Sequence, residues 1–558
     1  MVARVGPGRL TARRRPSALH GPARCAAGVA EGIATTAGYG SRTGRRSSEW
    51  TGCSMKLDEL VARVYAAPRG PKIGAFFDYD GTVISGYSAM AFYNKRLRDR
   101  EMGAAELAKM TWASVRGVSS EQEFAELLDL SLAAYRGRPP EELMKLGESL
   151  FKHEIAAQLH TEVWELIEAH HEMGHTVVLA SSATRFQVQP MARDMRAEHV
   201  LCTELEVLDG LVTGRPAGAP LWGLGKARAV RALAAGHDLD LGASFGYSNG
   251  DEDVMFLETV GNPVAVAPQV GLASEAARRG WPVLRCVPRG GRPSPTEVLR
   301  TLGFYGGFAA AVGAGLGVGL LRRSRREMLD VTTALGADLS LGLAGVSVDV
   351  LSGAEYLTSA RPCLFLFNHQ SKLDPILAMK LVRGQFTGVA KKEAKNIPGF
   401  GQLFQLADVA FVDRGNTAQA RAALEPAVAK MRDEGISLMM APEGTRSATP
   451  RLGPFKKGAF HIAMQAGVPV VPIVIRNAGE VMWRGAQVIK AGTVEVVVLP
   501  PVDSTTWRIE TITEHVAQVR GMYLDTLAHW PGRPLPPATD PTDDFSDDFP
   551  DGPSDGDA

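Results

Sequence analysis

Apolar runs that end abruptly in polar residues recur along this chain and predict buried parallel strands. IGAFF (73–77) runs into DYDGT, and HTVVLASSAT (175–184) ends in hydroxyl side chains. CLFLF (363–367) runs into NHQSKLD, and LMMAPEGTRS (438–447) follows another apolar strand. Ligands of open α/β sheets bind at the carboxyl ends of the strands, so this pattern predicts an α/β protein whose chemistry lies at these points.

Length and composition predict several domains and exclude some function classes. The chain has 558 residues, which at about 150 residues per domain predicts three or four units. Basic and acidic residues both number 61, so the net charge is zero and we expect no nucleic-acid partner. The five cysteines are odd in number and form no Cys-x-x-Cys pair, which argues against a disulfide scaffold and favours a reducing compartment.

The two ends of the chain differ in composition from its body. Residues 1–54 hold nine arginines, no lysine and two acidic residues, and this mixture predicts a disordered basic extension. It resembles a transit peptide, but an upstream mis-start is at least as plausible, because an amphipathic stretch opens at Met55. Residues 531–558 hold eight aspartates among prolines and predict an acidic disordered tail.

Asp78 and Asp80 stand two residues apart at the end of the first apolar run, where Gly81 lets the backbone turn. Two carboxylates this close repel each other unless a cation lies between them, so the pair predicts a hard metal ion such as Mg²⁺. An isolated Asp-x-Asp is more often a solvated turn. The pair alone leaves both interpretations open.

Three further segments follow the aspartate pair in a consistent order. Ser181 is the first hydroxyl beyond its apolar run, and Lys226 stands at the start of a helical pattern. Asn249, Asp251 and Asp253 lie in a Gly-containing loop between apolar segments. Taken singly, the serine would be a strand-end cap and the lysine a solvated side chain. As an ordered set, these residues match a site for phosphoryl transfer.

With these motifs, roughly residues 70–290 resemble the haloacid dehalogenase superfamily, in its phosphoserine-phosphatase-like branch, and we expect the domain to span residues 55–295. The resemblance implies a Rossmann-type α/β domain, with residues 86–170 forming an inserted helical cap that selects the substrate. It also implies that Asp78 is a nucleophile that forms an aspartyl-phosphate and that Asp80 is the general acid and base. Fold similarity alone does not assign serine phosphate as the substrate.

The same resemblance implies a phosphate and metal site. The implied residues are Ser181 and Lys226 for the phosphoryl oxygens, and Asp78, the backbone of Asp80, Asn249 and Asp253 for Mg²⁺. Asn249 departs from the family pattern, which has an aspartate there. The front half of the chain is therefore either a Mg²⁺-dependent phosphomonoesterase or a non-catalytic sensor of a phosphorylated ligand.

Residues 303–321 carry no charge and are followed by RRSRRE. Nineteen residues just span a bilayer core of ~30 Å, but seven glycines weaken the case for a spanning helix. Glycines four residues apart and the arginines that follow favour close helix packing at a membrane surface. We expect residues 296–348 to form a membrane-associated helical segment, and a Gly/Ala-rich helix packed against protein is the alternative.

His369 and Asp374 stand five residues apart at a predicted strand-to-helix turn, where an imidazole and a carboxylate can meet. Of twelve histidines, only His369 has an aspartate at the fifth following position. A neutral imidazole can take a proton from an alcohol while the carboxylate fixes its tautomer. The non-catalytic alternative is a capped turn with an exposed histidine. Without a serine or cysteine motif beside it, the pair favours direct attack by a hydroxyl group of the substrate.

Further polar blocks follow the histidine motif. They contribute Lys391, Lys392, Arg414, Glu443, Gly444, Thr445 and Arg446. A guanidinium offers a bidentate fork and glycine permits close approach of the backbone, so arginine beside glycine suits a phosphate group. Separately, these residues would be ordinary surface ion pairs.

Together with NHQSKLD, these blocks make roughly residues 330–530 resemble the glycerolipid acyltransferase family, and we expect the domain to span residues 349–530. The resemblance implies a second α/β domain, preceded by a membrane-contacting helical hairpin. It implies that His369 is the general base on the sn-2 hydroxyl of 1-acylglycerol 3-phosphate and that Asp374 orients it. The implied phosphate-binding residues are Arg414, Glu443, Gly444, Thr445 and Arg446. Ala441 stands where the family usually has phenylalanine.

The second resemblance also implies substrates and a location. Acyl-CoA or acyl-carrier protein would be the donor, lysophosphatidic acid the acceptor and phosphatidic acid the product. The protein would lie at the cytoplasmic face of the cell membrane. Fusions with this order of domains resemble phospholipid-synthesis proteins of actinobacteria.

Overall fold

The computed structural model describes most of the chain. The described residues are 54–103, 120–287, 293–396, 400–412 and 417–533. Nearly all of the predicted basic extension and acidic tail lies outside these ranges, as does part of the predicted cap. The described residues belong to one compact unit that contains two large sheets and one two-stranded sheet.

The first sheet has six strands, and every neighbouring pair is parallel. Its strands are β1 (Gly74–Phe77), β2 (Thr176–Thr184), β3 (His199–Thr203), β6 (Phe245–Ser248), β7 (Asn262–Val266) and β8 (Val283–Leu284). They lie in the order β3-β2-β1-β6-β7-β8. Between β3 and β6 in the chain, β4 (Leu205–Leu208) and β5 (Leu211–Pro216) form a separate antiparallel hairpin. We call the domain built on this sheet the front domain.

Helices connect the strands of the front domain. They are α1 (Leu57–Tyr65), α2 (Ser88–Arg98), α3 (Glu121–Ala133), α4 (Pro140–Leu150), α5 (Thr161–Glu172), α6 (Arg185–Asp194), α7 (Leu224–Gly236), α8 (Val254–Leu257) and α9 (Val270–Arg279). Residues Phe151–Ile155 form a π-helical turn, and Ala156–Gln158 and Asp251–Asp253 form 3₁₀ turns. The described part of the segment predicted as a cap, between β1 and α5, is therefore largely helical.

Two hydrophobic cores lie on opposite faces of the first sheet. Ala75 and Phe77 join one core with residues of α1 and α5, whereas Phe76 joins the other with residues of α7 and α9. Successive side chains of a strand point to opposite faces. The uninterrupted apolar run of β1 thus matches a strand that is covered on both sides.

Two long helices connect the front domain to the second sheet. Helix α10 (Pro295–Arg322) begins with a capping box between Ser294 and Glu297, and α11 (Arg325–Ala344) follows after a short turn. Glycines of α10 face α11 closely: a Cβ on Gly307 would lie 2.9 Å from the backbone of Leu339. Helices can approach this closely only where one of them lacks side chains.

The second sheet has seven strands. They are β9 (Val346–Ser352), β10 (Leu364–Phe367), β11 (Phe386–Lys391), β12 (Ala410–Val412), β13 (Ser437–Met440), β14 (Val470–Ile475) and β15 (Gly492–Val498). They lie in the order β12-β11-β13-β10-β14-β15-β9, and only the pair β14 and β15 is antiparallel. We call the domain built on this sheet the rear domain.

The rear domain also alternates strands with helices. Its helices are α12 (Tyr356–Ser359), α13 (Asp374–Val382), α14 (Phe400–Leu406), α15 (Thr417–Asp433), α16 (Gly458–Ala466), α17 (Ala478–Val481) and α18 (Ile512–Ala528). Phe365 and Phe367 of β10 belong to one core, and Leu364 and Leu366 belong to the core on the other face. The chain therefore contains two α/β domains, as the strand pattern predicts.

Candidate functional sites

A buried cluster of charged side chains lies at the carboxyl end of β1. Lys226 Nζ donates hydrogen bonds to Asp78 Oδ1 at 2.8 Å and to Asp253 Oδ2 at 2.6 Å. Thr82 Oγ1 donates to the other oxygen of Asp78 at 2.9 Å. All of these side chains are buried, so the ion pairs are shielded from water. We call this cluster, with Asp80, Ser181 and Asn249, the front site.

Sheet topology explains why residues far apart in the chain meet in the front site. Strands β2 and β6 flank β1, and all three run parallel, so their carboxyl ends reach the same edge. Phe77 pairs with Leu179, so Asp78 directly follows β1, and Ser181 lies within β2 two residues beyond the last residue that pairs with β1. Asn249 follows β6 directly. The Ser181 hydroxyl is buried and accepts a hydrogen bond from the backbone N–H of Ala183 at 3.1 Å.

The Asp80 carboxyl group lies against the first residue of α2. It accepts hydrogen bonds from the Ser88 backbone N–H at 2.6 Å and from Ser88 Oγ at 3.1 Å. Burial is the main cause that raises the pKa of Asp80 to about 7, and the charge of Asp78 adds to it. A carboxyl group with such a pKa can both release and take up a proton near neutral pH.

Gly81 is required by the shape of the front site. Its φ is +84°, and a Cβ there would lie 2.1 Å from Asn249 Nδ2. A side chain would therefore be strained by the backbone and would displace the asparagine. This close contact brings the loop after β1 against the loop after β6.

The electrostatics of the front site fit a cation. Burial raises the pKa of Asp78, although Lys226 opposes this. Among the described residues, Asp253 Oδ1 is buried without a hydrogen-bond partner, and Asn249 Oδ1 accepts a long hydrogen bond of 3.2 Å from Thr82. Mg²⁺ prefers carboxylate and amide oxygens as ligands. The residues present therefore suit a magnesium ion held by few carboxylates, although no group of three or more His, Cys, Asp or Glu in the described ranges has metal-site geometry.

The loop that carries Asn249 is tied to α9 by a different acid. Asp251 Oδ1 accepts a hydrogen bond from the backbone N–H of Leu272 at 2.6 Å. Asp251 is exposed, whereas Asp253 is buried and bonds to Lys226. The two acids of this loop thus have separate surroundings, and Asp253 is the one that faces Asp78 through the lysine.

His369 and Asp374 meet across the turn between β10 and α13. His369 Nδ1 lies 2.8 Å from Asp374 Oδ2, which also accepts hydrogen bonds from the backbone N–H groups of Gln370 and Ser371, both at 2.7 Å. The carboxylate is fully buried. Its contact with Nδ1 favours the tautomer that has the proton on Nδ1 and leaves Nε2 free to accept a proton.

Glu443 connects the histidine motif to the loop after β13. Its Oε1 accepts a hydrogen bond from the backbone N–H of His369 at 2.6 Å. Its Oε2 accepts hydrogen bonds from Ser447 Oγ at 2.6 Å and from the backbone N–H of Gly453 at 3.0 Å. Both oxygens are thus used within the protein. Glu443 thus holds two loops together, and its part in binding phosphate stays a prediction.

The other predicted phosphate-binding residues lie beside this connection. Leu366 pairs with Met440, so the loops after β10 and β13 leave the same edge of the sheet. Gly444 has a φ of +68° and lets the loop turn, Thr445 is exposed and Arg446 is partly buried. We call His369, Asp374 and the loop Glu443–Arg446 the rear site. Lys391 ends β11, Lys392 follows it, and Arg414 lies outside the described residues.

Two cations that the sequence does not predict lie at the rear site. Arg484 donates a hydrogen bond from Nη1 to the carbonyl oxygen of Arg446. Lys372, within NHQSKLD, donates from Nζ to the carbonyl oxygen of Ala486 at 3.1 Å. The lysine in the motif was a signal in the sequence, whereas no pattern marks an arginine 38 residues after its partner.

A cavity of about 550 Å³ lies between the two domains, beside the rear site. One wall is a face of α5 that carries Trp164 and Glu165. The opposite wall includes Gln370, Ser447 and Arg484 of the rear domain. Such a cavity is large enough for a small organic ligand. The separate motifs in the sequence do not predict it, because its walls come from both domains.

Comparison with known families agrees with this division. The family model for haloacid dehalogenase-like hydrolases matches residues 75–258. The family model for acyltransferases matches residues 350–476. Each match contains the residues of the candidate site in its domain.

Individual proteins are similar to parts of the chain. A protein named 1-acyl-sn-glycerol-3-phosphate acyltransferase from Limnanthes alba is 33% identical over 34% of this chain and 66% of its own length. A protein of the same name from Salmonella typhimurium is 35% identical over 30% of this chain and 66% of its own length. The chain thus spans just under two thirds of these relatives.

A solved structure is similar to part of the chain. It is described as a phospho-aspartyl intermediate analogue of phosphoserine phosphatase and is 16% identical, covering 38% of this chain and 93% of its own, with a TM-score of 0.30. The matched families, and the relatives of the rear domain, agree with the resemblances that the motifs predict. This chain is a fusion of a haloacid dehalogenase-like hydrolase domain and an acyltransferase domain with 1-acyl-sn-glycerol-3-phosphate acyltransferase homologues.

Proposed function

We propose that the rear domain transfers an acyl group from acyl-CoA or acyl-carrier protein to the sn-2 hydroxyl of 1-acylglycerol 3-phosphate, giving phosphatidic acid. The observation that carries this proposal is the 2.8 Å contact between His369 Nδ1 and Asp374 Oδ2, in a loop joined to Arg446 through Glu443. The names of the curated relatives support the choice of acceptor.

The geometry supports general-base catalysis. His369 Nε2 takes the proton of the acceptor hydroxyl as its oxygen attacks the thioester carbonyl carbon, and the buried Asp374 carboxylate stabilises the imidazolium that forms. The C–S bond then breaks, and the imidazolium returns the proton to the leaving thiolate. The guanidinium of Arg446 would hold the phosphate group of the acceptor during this step.

We propose that the front domain hydrolyses a phosphomonoester. Asp78 attacks the phosphorus atom and forms an aspartyl-phosphate, while Asp80 donates a proton to the leaving alcohol and then takes one from the attacking water. Ser181 and Lys226 would hold the phosphoryl oxygens. Asp78, the Asp80 backbone, Asn249 and Asp253 would hold Mg²⁺, which when bound offsets negative charge in the site.

We also propose that helices α10 and α11 attach the protein to the cytoplasmic face of the cell membrane. Among the described helices, α10 alone is long and apolar enough to cross a membrane, and only 28% of its most apolar stretch is buried. Leu320 and Leu321 are 80% and 85% exposed, next to Arg322 and Arg323. Exposed leucines beside arginines favour contact with anionic lipid over packing against protein.

One observation favours a different function for the front domain. Asn249 supplies an amide where the family has an aspartate, and a weaker metal site would suit a domain that binds a phosphorylated ligand without hydrolysing it. A panel of phosphomonoesters offered to the full-length protein with Mg²⁺ separates the two functions. Release of phosphate that disappears in Asp78→Asn supports hydrolysis, and binding without release supports sensing.

A single assay tests the paired activities. Labelled lysophosphatidate and acyl-CoA are supplied to the wild type, to Asp78→Asn and to His369→Ala. We expect phosphatidate from the first two and not from the third. Diacylglycerol made by the wild type but not by Asp78→Asn would show that the front domain acts on the product of the rear domain. Phosphatidate made by His369→Ala at the wild-type rate would refute the proposed base.

A further inference from the structure

Three cations lie near one another beside His369. The guanidinium of Arg484 reaches the carbonyl oxygen of Arg446. Lys372 is held near by its hydrogen bond to Ala486. Burial is the first cause that lowers the pKa of Lys372, and the positive charge of Arg446 is the second. Like charges repel, so a bound anion would stabilise this group.

The described protein residues supply no such anion for two of the cations. No carboxylate oxygen in the described ranges lies within 4.0 Å of the Lys372 or Arg484 side-chain nitrogens. The Glu443 carboxylate of the same region is engaged by His369 and Ser447. Burial lowers the pKa of Arg484. Arg484 is partly buried and Lys372 is exposed, so the missing counter-charge is costly mainly at Arg484 and favours a bound anion there.

The position of Arg484 indicates the size of the ligand. Its side chain lines the interdomain cavity of about 550 Å³, together with Gln370 and Ser447. A free phosphate ion would fill only a small part of this volume. The cavity therefore suits a phosphate group carried by a larger molecule, and it is lined by Gln370, which follows the proposed general base in the chain.

We propose that Lys372 and Arg484 form a second phosphate-binding subsite beside Arg446, which holds a phosphate group of a substrate of acyl transfer. Arginine offers a planar fork to phosphate oxygens, and lysine adds a point charge. Two substrates carry this chemistry: the phosphomonoester of the acceptor, and the phosphate of a coenzyme A or phosphopantetheine donor. The inference rests on the proposed acyltransferase function and adds to it two residues outside the predicted set.

The test uses full-length protein with single substitutions. Arg484→Gln and Lys372→Gln remove the charges, and Arg484→Lys keeps a charge but loses the fork. Lys490→Gln is the matched control, because Lys490 lies on the same segment and stacks on Trp483 at 5.0 Å. Initial rates are measured with lysophosphatidate varied at saturating acyl-CoA and then with acyl-CoA varied. Thermal unfolding checks that each variant is folded. If Arg484→Gln does not fold, Arg484→Lys is used in its place.

A hydrogen bond to a charged group is worth enough to change affinity about tenfold or more. We expect both glutamine variants to raise the KM of one substrate by about tenfold, with partial recovery in Arg484→Lys and no change in Lys490→Gln. A rise for lysophosphatidate alone assigns the subsite to the acceptor. A rise for acyl-CoA alone assigns it to the donor. Unchanged KM values for both substrates, or an equal rise in Lys490→Gln, would overturn the inference.

Direct binding separates this inference from the proposed function. Coenzyme A and sn-glycerol 3-phosphate are titrated calorimetrically into the wild type and the same variants. If the wild type has no acyl-transfer activity, the proposed function fails, and the titration alone then tests the phosphate-binding subsite. Binding of either ligand that weakens about tenfold in both glutamine variants supports the subsite. Equal binding by all variants, or no binding by the wild type, refutes it.

Discussion

Thr449 Oγ1 donates a hydrogen bond to Asp194 Oδ2 at 3.0 Å and thereby joins the two domains. Thr449 lies three residues after Arg446, and Asp194 ends α6, the helix that directly follows β2. Arg451 Nη1 adds a hydrogen bond to the carbonyl oxygen of Arg193 at 2.6 Å. The loop that follows the rear site therefore rests on the helix that leaves the front site.

The first prediction concerns this contact. Thr449→Val removes the hydroxyl but keeps the shape, at a cost of about 1 kcal/mol for a hydrogen bond. Because the loop next to Arg446 loosens, we expect the KM for lysophosphatidate to rise about two- to fivefold in steady-state kinetics, with phosphatase activity unchanged. Thr505→Val is the control, because Thr505 bonds to Asp503 at 2.8 Å within one exposed loop. Equal kinetics in both variants would contradict a role for the contact.

The second prediction concerns the proposed base. His369→Ala should lower the rate of acyl transfer about 10²- to 10⁴-fold, the usual contribution of a general base. Asp374→Asn should also lower kcat, because an amide cannot stabilise the imidazolium, while hydrolysis by the front domain survives. Exposed His529 is replaced by alanine as a control. Near wild-type acylation by His369→Ala would show that another group takes the proton.

The third prediction concerns the metal. Asn249→Asp adds a carboxylate to the front site, so we expect half-maximal phosphatase activity at a Mg²⁺ concentration lower by about tenfold. A chelator should abolish hydrolysis and leave acyl transfer intact. The control is Asp251→Asn, which removes a charge from the same loop but whose carboxylate bonds to the backbone of Leu272. If the control weakens Mg²⁺ binding and Asn249→Asp does not tighten it, Asp251 belongs to the metal set instead.

The fourth prediction concerns buried histidines of the front domain. Burial lowers the pKa of His170 well below its usual range and that of His171 to about 4. His170 Nδ1 lies 2.8 Å from His175 Nδ1, and its Nε2 lies 2.8 Å from the Tyr247 hydroxyl. These histidines are neutral when folded, whereas the unfolded chain takes up their protons below pH ~6.5.

The sign of the pH effect follows from this difference. Because the unfolded state binds more protons, the free energy of unfolding should fall as the pH drops below ~6.5, by up to ~1.4 kcal/mol per pH unit for each histidine, until the folded pKa is reached. Denaturant unfolding between pH 7 and 5 measures this slope. His171→Gln should make the slope shallower, and the exposed His529→Gln should not. An identical slope in all three proteins would refute the assignment.

The fifth prediction concerns the membrane surface. Leu320→Glu and Leu321→Glu place charges on the most exposed leucines of α10 and should reduce binding to vesicles that contain anionic lipid by about tenfold or more. Flotation of the full-length protein with vesicles measures the bound fraction. Leu208→Glu is the control, because this leucine is 62% exposed on the front domain hairpin. Equal flotation of all variants would show that α10 does not contact lipid.

Local pattern was sufficient to predict the strand ends and the polar residues that follow them. The apolar runs before Asp78 and His369 form β1 and β10, and parallel pairing then brings each motif to one edge of its sheet. The contact between His369 and Asp374 was also predictable, because five residues of backbone in a tight turn determine it. Short-range periodicity carries this information because each element depends mainly on its own residues.

The sequence by itself thus determined two α/β domains and two sets of motif residues, but tertiary structure decided how these sets are completed. The Glu443 carboxylate accepts hydrogen bonds from two loops. Arg484 bonds to Arg446, which lies 38 residues earlier in the chain, and Glu165 pairs with Arg476, which lies 311 residues later. No periodicity encodes such contacts, because they depend on which loops leave the same edge of a sheet and how two domains pack. The interdomain cavity exists for the same reason: neither domain has both of its walls.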